Sequence, residues 1–411
     1  MTGRMLLTRR VVQAGFLGLV LWGAFVAGGN CERWCPFGGV EAIYTYATEG
    51  DVLCSLGTSN FFILGGVLLM TLLVRRAFCA YVCPIGTLSE WLHRVGRRLR
   101  LPELRVTGTA DRLLALAKYG LLAIILWLTW QAGELIFRGF DPCYALISRH
   151  GADITYWAYV VSAAIVVLSL LVMLPFCRWF CPLAAVLNPP SRFGLMRVRR
   201  HAEACRDCGV CTKSCPVAIP VDQVDQVRAA RCLSCLNCVA ACPRTQPRAL
   251  SWGPPSRSGR AWSQAALILI VLACASTAVV ASYLFPLPSF VKSRGTKPAQ
   301  TMEVQFRVEG LTCRGRANML VYYLDRDDLY RIPGYLRVEA WPSPSIADVH
   351  VTYDPQATDV AAIQRAMTEP YYDAAADRWR MSPFQIEGFD PLDQPPLAED
   401  NEQQGGQGKD Y

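Results

Sequence analysis

Charge is scarce in this chain: 18% of its 411 residues are Asp, Glu, Lys or Arg, against 52% hydrophobic. A disordered chain cannot be this apolar, and an ordinary soluble globule carries about 25% charge. Histidine is almost missing. His93, His150, His201 and His350 are the only four, none lies in the middle of an apolar run, and they read as surface or interface residues rather than haem ligands. No Cys-x2-Cys-His occurs, which excludes covalent c-type haem attachment. Cysteine is the exception to this poverty of polar chemistry, with 18 copies, most of them in repeated short spacings that point to metal or redox chemistry before a disulfide scaffold.

Apolar runs at Val11 to Ala27, Leu113 to Trp130, Trp157 to Phe176 and Trp262 to Leu284 approach or exceed the ~20 residues a helix needs to cross a bilayer. A shorter run, Phe61 to Val74, can be extended by Leu53 to Leu56 on one side and Ala77 to Val82 on the other. The pattern predicts an α-helical membrane protein with about five spans. The first resembles a signal peptide, but Gly28 to Cys31 offers no clear small-residue cleavage site, so it reads as a retained anchor. Residues 75–112 carry eight Arg against three acids, and residues 176–262 carry thirteen bases against four acids. Residues 30–60 and 131–156 are acid-rich by comparison, and 286–411 hold 19 acids against 13 bases. The positive-inside rule then places the N-terminus and both Arg-rich loops in the cytoplasm of a bacterial inner membrane, with everything after Leu284 outside, in the periplasm. The same segregation accounts for the net charge of +8 through the membrane face, with no nucleic-acid partner required.

Cys205-x2-Cys208-x2-Cys211-x3-Cys215-Pro216 recurs as Cys232-x2-Cys235-x2-Cys238-x3-Cys242-Pro243. This is the spacing of a bacterial-type 2[4Fe-4S] ferredoxin module, in which the fourth thiolate of each run binds the neighbouring cluster. Cys205, Cys208, Cys211 and Cys242 are thus expected at one cluster, and Cys232, Cys235, Cys238 and Cys215 at the other. Zinc sites space their CxxC pairs more widely, and a cytoplasmic face disfavours disulfides. A second repeat, Cys-x3-Cys-Pro, occurs at Cys31/Cys35, Cys79/Cys83 and Cys177/Cys181. Cysteines four apart share one face of a helical turn, which the proline then discourages from continuing. Cys79, Cys83, Cys177 and Cys181 both follow spans on the cytoplasmic side, and together make a third cluster site or two pairs of small buried hydrophobes. Cys31, Cys35, Cys54 and Cys143 form an outer set, for a fourth cluster or for long-range disulfides. Cys274 reads as a packing residue.

From Thr301 the pattern changes to period-two alternation at Val304, Phe306 and Val308, a loop through Cys313, and a helix to about Leu324. Strands at Leu336 to Ala340 and Val349 to Tyr353, a helix at Asp359 to Met367 and a strand at Met381 to Ile386 follow. The order βαββαβ is a ferredoxin-like α+β fold. It resembles heavy-metal-associated domains, whose Met-x-Cys-x-x-Cys loop is here Leu311-Thr312-Cys313-Arg314-Gly315-Arg316, with one cysteine as a weak metal ligand. Docking to a partner is the simpler use of such a domain. The expected division is 1–200 for four spans with the CxxxCP motifs, 201–250 for the cytoplasmic ferredoxin module, 251–300 for the fifth span and a linker, 301–390 for the outer domain, and 391–411 for a disordered tail.

The CxxxCP motifs and the two ferredoxin runs together resemble the membrane polyferredoxins typified by NapH, NosR and the CcoG group, over about residues 60–250. That resemblance implies electron transfer between a quinol pool or a cytoplasmic donor and a periplasmic acceptor. It implies an electron-transfer subunit of an oxidoreductase, quinol dehydrogenase-like, rather than a stand-alone enzyme, with redox partner proteins on either face and no catalytic residue of its own. A different class of reading, copper reduction or delivery during maturation of a respiratory metalloenzyme, follows from the CcoG likeness. It expects copper binding that Cys313→Ser abolishes, read by metal analysis of the purified protein.

Overall fold

The computed structural model describes residues 2–26, 35–49, 59–132, 140–147, 155–243, 248–255, 261–285, 290–312, 314–325, 332–343, 345–373 and 378–390. Cys31, Cys54, Cys313, His150 and the tail 391–411 lie outside them. The chain divides into two compact units, Met1–Pro286 and Leu287–Tyr411.

The first unit begins with α1 (Thr2–Phe25), α2 (Pro36–Glu49), α3 (Ser59–Val74), α4 (Ala77–Tyr81), α5 (Pro84–Arg98) and α6 (Gly108–Ala132). It continues with α7 (Pro142–Ile147), α8 (Tyr156–Leu171), a π-helical turn Phe176–Phe180 and α9 (Pro182–Arg192). β1 (Arg197–Arg200), α10 (Val210–Lys213), α11 (Asn237–Ala241) and β2 (Leu250–Gly253) form a small module, and α12 (Gln264–Leu284) closes the unit. Among the described residues α1 from Arg4, α6 as far as Gln131, and α12 are long and apolar enough to cross a membrane, and α3 and α8 are shorter apolar helices. Their outward faces are apolar, as at Leu19, Trp127 and Leu269, which only a hydrocarbon solvent leaves unpenalised.

Two of the expected spans end differently. The second does not extend through Ala77 to Val82: Arg75 takes a left-handed φ of 62°, which breaks the helix after Val74, and α4 starts afresh. The fourth stops at Leu171 rather than Phe176, because Val172 is extended and Leu174, just before Pro175, is left-handed with φ 54°. A residue preceding proline is sterically pushed out of the α region. The short α3 is the centre of the unit. It packs on α2, α4, α9 and α12, most closely where Gly66 lies on Ala278 and the carbonyl of Cys274. Cys274 itself is a buried packing residue.

Two buried carboxylates tie distant elements together. Glu90 on α5 receives Arg9 and Gln13 from α1 and Arg94 from its own helix. Asp111, in the first turn of α6, receives Arg178 and the Trp179 indole from the π turn, and Arg231 from the module.

In the second unit a five-stranded antiparallel sheet runs in the order β3-β5-β6-β4-β9, with β3 at Phe290–Arg294, β4 at Met302–Glu309, β5 at Leu336–Trp341, β6 at Ile346–Tyr353 and β9 at Gln385–Ile386. Helices α13 (Arg314–Leu324) and α14 (Val360–Thr368) supply the crossovers, and β7 (Tyr371–Asp373) and β8 (Arg378–Arg380) make a separate hairpin. Inward positions alternate along β5 and β6 and meet Leu320, Leu324, Ile363 and Met367 in one core. The expected linker is therefore not all linker. Phe290 is fully buried and pairs with Ala340, so β3 covers an edge of β5 that would otherwise present unpaired backbone groups. The expected strand from Met381 pairs only at Gln385 and Ile386.

Asp111 is 2% exposed. Asp111→Ala leaves Arg178 buried without its counter-ion, which costs ~3–5 kcal/mol; a matching fall in thermal stability in detergent is the expected result.

Candidate iron–sulfur sites

The repeated cysteine runs fold into repeated backbone. In the first, Asp207 and Gly209 are left-handed at φ 47° and 67°; in the second, Ser234 and Leu236 are left-handed at 48° and 58°. Gly209 and Leu236 then cap α10 and α11. Alternating left- and right-handed residues turn successive N–H groups toward one point, a concavity suited to an anion. Non-glycine residues in that conformation cost about 1–3 kcal/mol each, and their recurrence at matched positions marks a shape that the site requires. β1 pairs with β2 from Arg197↔Gly253 to Arg200↔Leu250 and holds the two ends of the module together.

Each set of crossed cysteines lines its own cavity. One is lined by Cys205, Cys208, Cys211 and Cys242, with Asp222 at its wall. The other is lined by Cys232, Cys235, Cys238 and Cys215 among Val198, Ile219 and Leu233. The fourth cysteine of each run thus sits with the opposite three. The two cavities differ in exposure. Cys208 is exposed and Cys205 half-buried, whereas Cys232, Cys235 and Cys238 are buried. Burial pushes the Cys235 thiol up to about 12, with Arg9 working against it, and Cys232 is likewise raised by burial against Arg75. Thiols held protonated in this way bind metal only by releasing their protons.

Four further thiols meet beneath this module. Cys79 lies in α4 and Cys177 in the π turn, both buried. Cys83 and Cys181 are the extended residues that start α5 and α9, with Pro84 and Pro182 as the first helical residues. In both motifs the N–H of the second cysteine bonds the carbonyl just before the first, Cys83 to Phe78 at 3.0 Å and Cys181 to Phe176 at 2.9 Å, so the two cysteines of each motif close one widened turn. The proline then opens the next helix, because its fixed φ and missing N–H suit that position. Cys83 and Cys181 each stand at a helix N-terminus, where the positive end of the dipole favours a thiolate. All four thiols lie within electrostatic reach of one another. Gly86 is required for this: a side chain there would begin 2.4 Å from the carbonyl oxygen of Cys79.

The 4Fe-4S binding domain family matches residues 56–102 and 154–201, one stretch for each CxxxCP motif of this set, and the 4Fe-4S dicluster domain family matches residues 197–243. YccM of Escherichia coli is 28% identical over 253 residues, covering 59% of this chain and 70% of that protein. The regulatory protein NosR of Pseudomonas aeruginosa is 31% identical over 146 residues, covering 35% of this chain but 20% of NosR. The methylamine utilization ferredoxin-type protein MauN of Methylobacillus flagellatus is 26% identical over 230 residues, covering 52% of this chain and 76% of MauN. No solved structure matches the chain.

The chain thus carries 4Fe-4S binding domains and is similar to membrane polyferredoxin-like proteins. It binds [4Fe-4S] clusters, and the donor set, four thiols around each cavity, fits that cofactor.

Of the outer set, Cys35 and Cys143 fall among the described residues. The Cys35 carbonyl accepts from Asn60 at 3.0 Å, at the opposite end of α3 from Arg75, and 16 residues of helix separate those ends by ~24 Å. The Cys143 N–H bonds Asp141 at 3.0 Å, and Asp141 lies within electrostatic reach of Cys181. Helix α7, which carries Cys143, packs on both α5 and α8. Arg9, Arg75 and Arg76 escaped the sequence reading, where they counted only as flanking positive charge. The one signal available was their position, inside or directly abutting apolar helices.

Gly86→Ala is expected to remove one cluster's worth of iron and acid-labile sulfide while leaving the ferredoxin signals. Gly120→Ala, where nothing lies within 4 Å, is the matched control.

Proposed function

We propose that this chain is a membrane-bound electron-transfer protein whose thiol sites form a graded series from solvent into the membrane domain. In this reading Cys205, Cys208, Cys211 and Cys242 hold the outermost cluster, Cys232, Cys235, Cys238 and Cys215 the next, and Cys79, Cys83, Cys177 and Cys181 a third. Cys31, Cys35, Cys54 and Cys143 hold a fourth. The observation that carries it is the adjacency of the buried ferredoxin cavity to the membrane thiols, through Arg75 and Arg76. The clusters supply one-electron chemistry. The chain supplies thiolates, burial and hydrogen bonds that tune potential.

The exposed rim at Cys208 suits contact with a soluble redox partner on the Arg-rich, cytoplasmic side. The five apolar helices α1, α3, α6, α8 and α12 fit a five-span topology in the inner membrane, with the second unit in the periplasm. Electrons then run between a cytoplasmic donor or quinol pool and a periplasmic acceptor. The regulatory and methylamine-utilization names of NosR and MauN are compatible with a part that serves several respiratory systems.

Anaerobic iron and sulfide analysis with EPR, comparing wild type with Cys31→Ser/Cys54→Ser, is the decisive measurement. Loss of one cubane's worth of iron is expected; unchanged iron makes the outer set structural and confines the redox chemistry to the other three sites.

A further inference from the structure

The last turn of α3 runs into two arginines that nothing in the sequence singles out. Arg75 is 0% and Arg76 1% exposed. A guanidinium cannot shed its proton in a protein, so each is a cation in the interior. Burial of a charge without an opposite charge is strongly unfavourable. Yet among the described residues neither meets a carboxylate. Arg76 donates to Asn188 Oδ1 at 3.1 Å, to the Cys177 carbonyl at 3.4 Å and to Cys79 Sγ at 3.7 Å, and its Nε is buried with no partner. Arg75 donates to the carbonyls of Met196 at 3.2 Å and Ala229 at 3.0 Å, and one of its terminal nitrogens, Nη2, is also buried and unpartnered.

The two side chains diverge toward two different thiol sets. Arg76 reaches the Cys79 and Cys177 pair. Arg75 goes toward the module, into the space that Gly194 leaves open, where a side chain would begin 2.6 Å from Arg75 Cγ. The Arg76 N–H meets the Cys232 carbonyl at 3.4 Å, so the dipeptide lies between the buried ferredoxin site and the membrane thiols. Two other buried arginines in this unit are balanced conventionally, Arg9 by Glu90 and Arg178 by Asp111. These two lack a carboxylate, and the negative charge within reach is that of thiolates.

We infer that Arg75 and Arg76 are the counter-charges of the two inner clusters, raising their reduction potentials so that an electron is favoured at this junction. The inference rests on the proposed ligation at Cys79, Cys83, Cys177 and Cys181. A cubane bound by four thiolates is an anion and becomes more negative on accepting an electron. A fixed cation beside it, donating to a ligand sulfur, therefore stabilises the reduced form more than the oxidised one. Burial keeps solvent and salt from screening the effect. The left-handed turn at Arg75 is what sends adjacent side chains to opposite sites.

The test is an EPR-monitored redox titration of the full-length protein in detergent, with iron and sulfide analysis on each sample. The variants are Arg76→Met, Arg76→Lys and Arg75→Met, and Cys79→Ser/Cys177→Ser assigns the membrane-site signal. Arg76→Met is expected to shift that signal to lower potential by at least tenfold in the oxidised-to-reduced equilibrium, ~59 mV for one electron. Arg76→Lys should keep most of the wild-type value, and Arg75→Met should move the buried ferredoxin signal instead. If Arg76→Met loses the cluster while Arg76→Lys restores both iron and potential, charge is still the requirement and the inference stands. Full iron with an unmoved potential in Arg76→Met overturns it. So does loss of iron in Met and Lys variants alike, which makes the residue a packing element. Unchanged iron in Cys79→Ser/Cys177→Ser sinks the ligation proposal itself, a result distinct from either.

Discussion

A charge inside a protein needs an opposite charge or a full set of hydrogen bonds, and buried guanidinium groups impose that requirement on the first unit. Arg9 and Arg178 meet it with Glu90 and Asp111, and each carboxylate then gathers further donors from elsewhere in the chain. Asp111 joins α6, the π turn and the ferredoxin module through one side chain. Arg75 and Arg76 meet the requirement only in part, with carbonyls, an amide oxygen and thiol sulfur, and one nitrogen of each stays buried without a partner. The module is thereby held to the helices by polar contacts set within an apolar core, where low dielectric strengthens each of them.

Glycine and proline do the complementary work of making room. Gly66 and Gly96 bring backbones together, at α12 and at the Leu170 carbonyl, while Gly86 and Gly194 clear space beside Cys79 and Arg75. The prolines after Cys83 and Cys181 begin helices, so the same short motif twice places a thiol at a helix N-terminus. Two copies of a six-residue pattern, on elements far apart in sequence, become one site because α4 and the π turn follow two apolar helices that both end early.

Much of this was legible beforehand. The ferredoxin runs declare their crossed sets through spacing alone, since a cubane fixes the separation of its ligands; the cavities follow the same division. The CxxxCP set could be grouped by side of the membrane, but not its geometry. Periodicity put Cys79 and Cys83 in one turn, and the Cys83 N–H does close that turn on the Phe78 carbonyl, but in a widened form that the spacing does not show. β3 was hidden because a five-residue edge strand with one inward position has too short a pattern to alternate visibly.

Composition and spacing by themselves determined that this chain is apolar and helical, that its charges sort between loops, and that its cysteines serve iron rather than disulfides in the ferredoxin module. These are local properties, set by the solvent that a helix faces and by the fixed size of a cluster. Only the tertiary structure decided which charges are buried and against what. Arg9, Arg75 and Arg76 resemble every other flanking arginine until the chain folds, because the partner of a buried charge is chosen by long-range packing, on which sequence distance has no bearing.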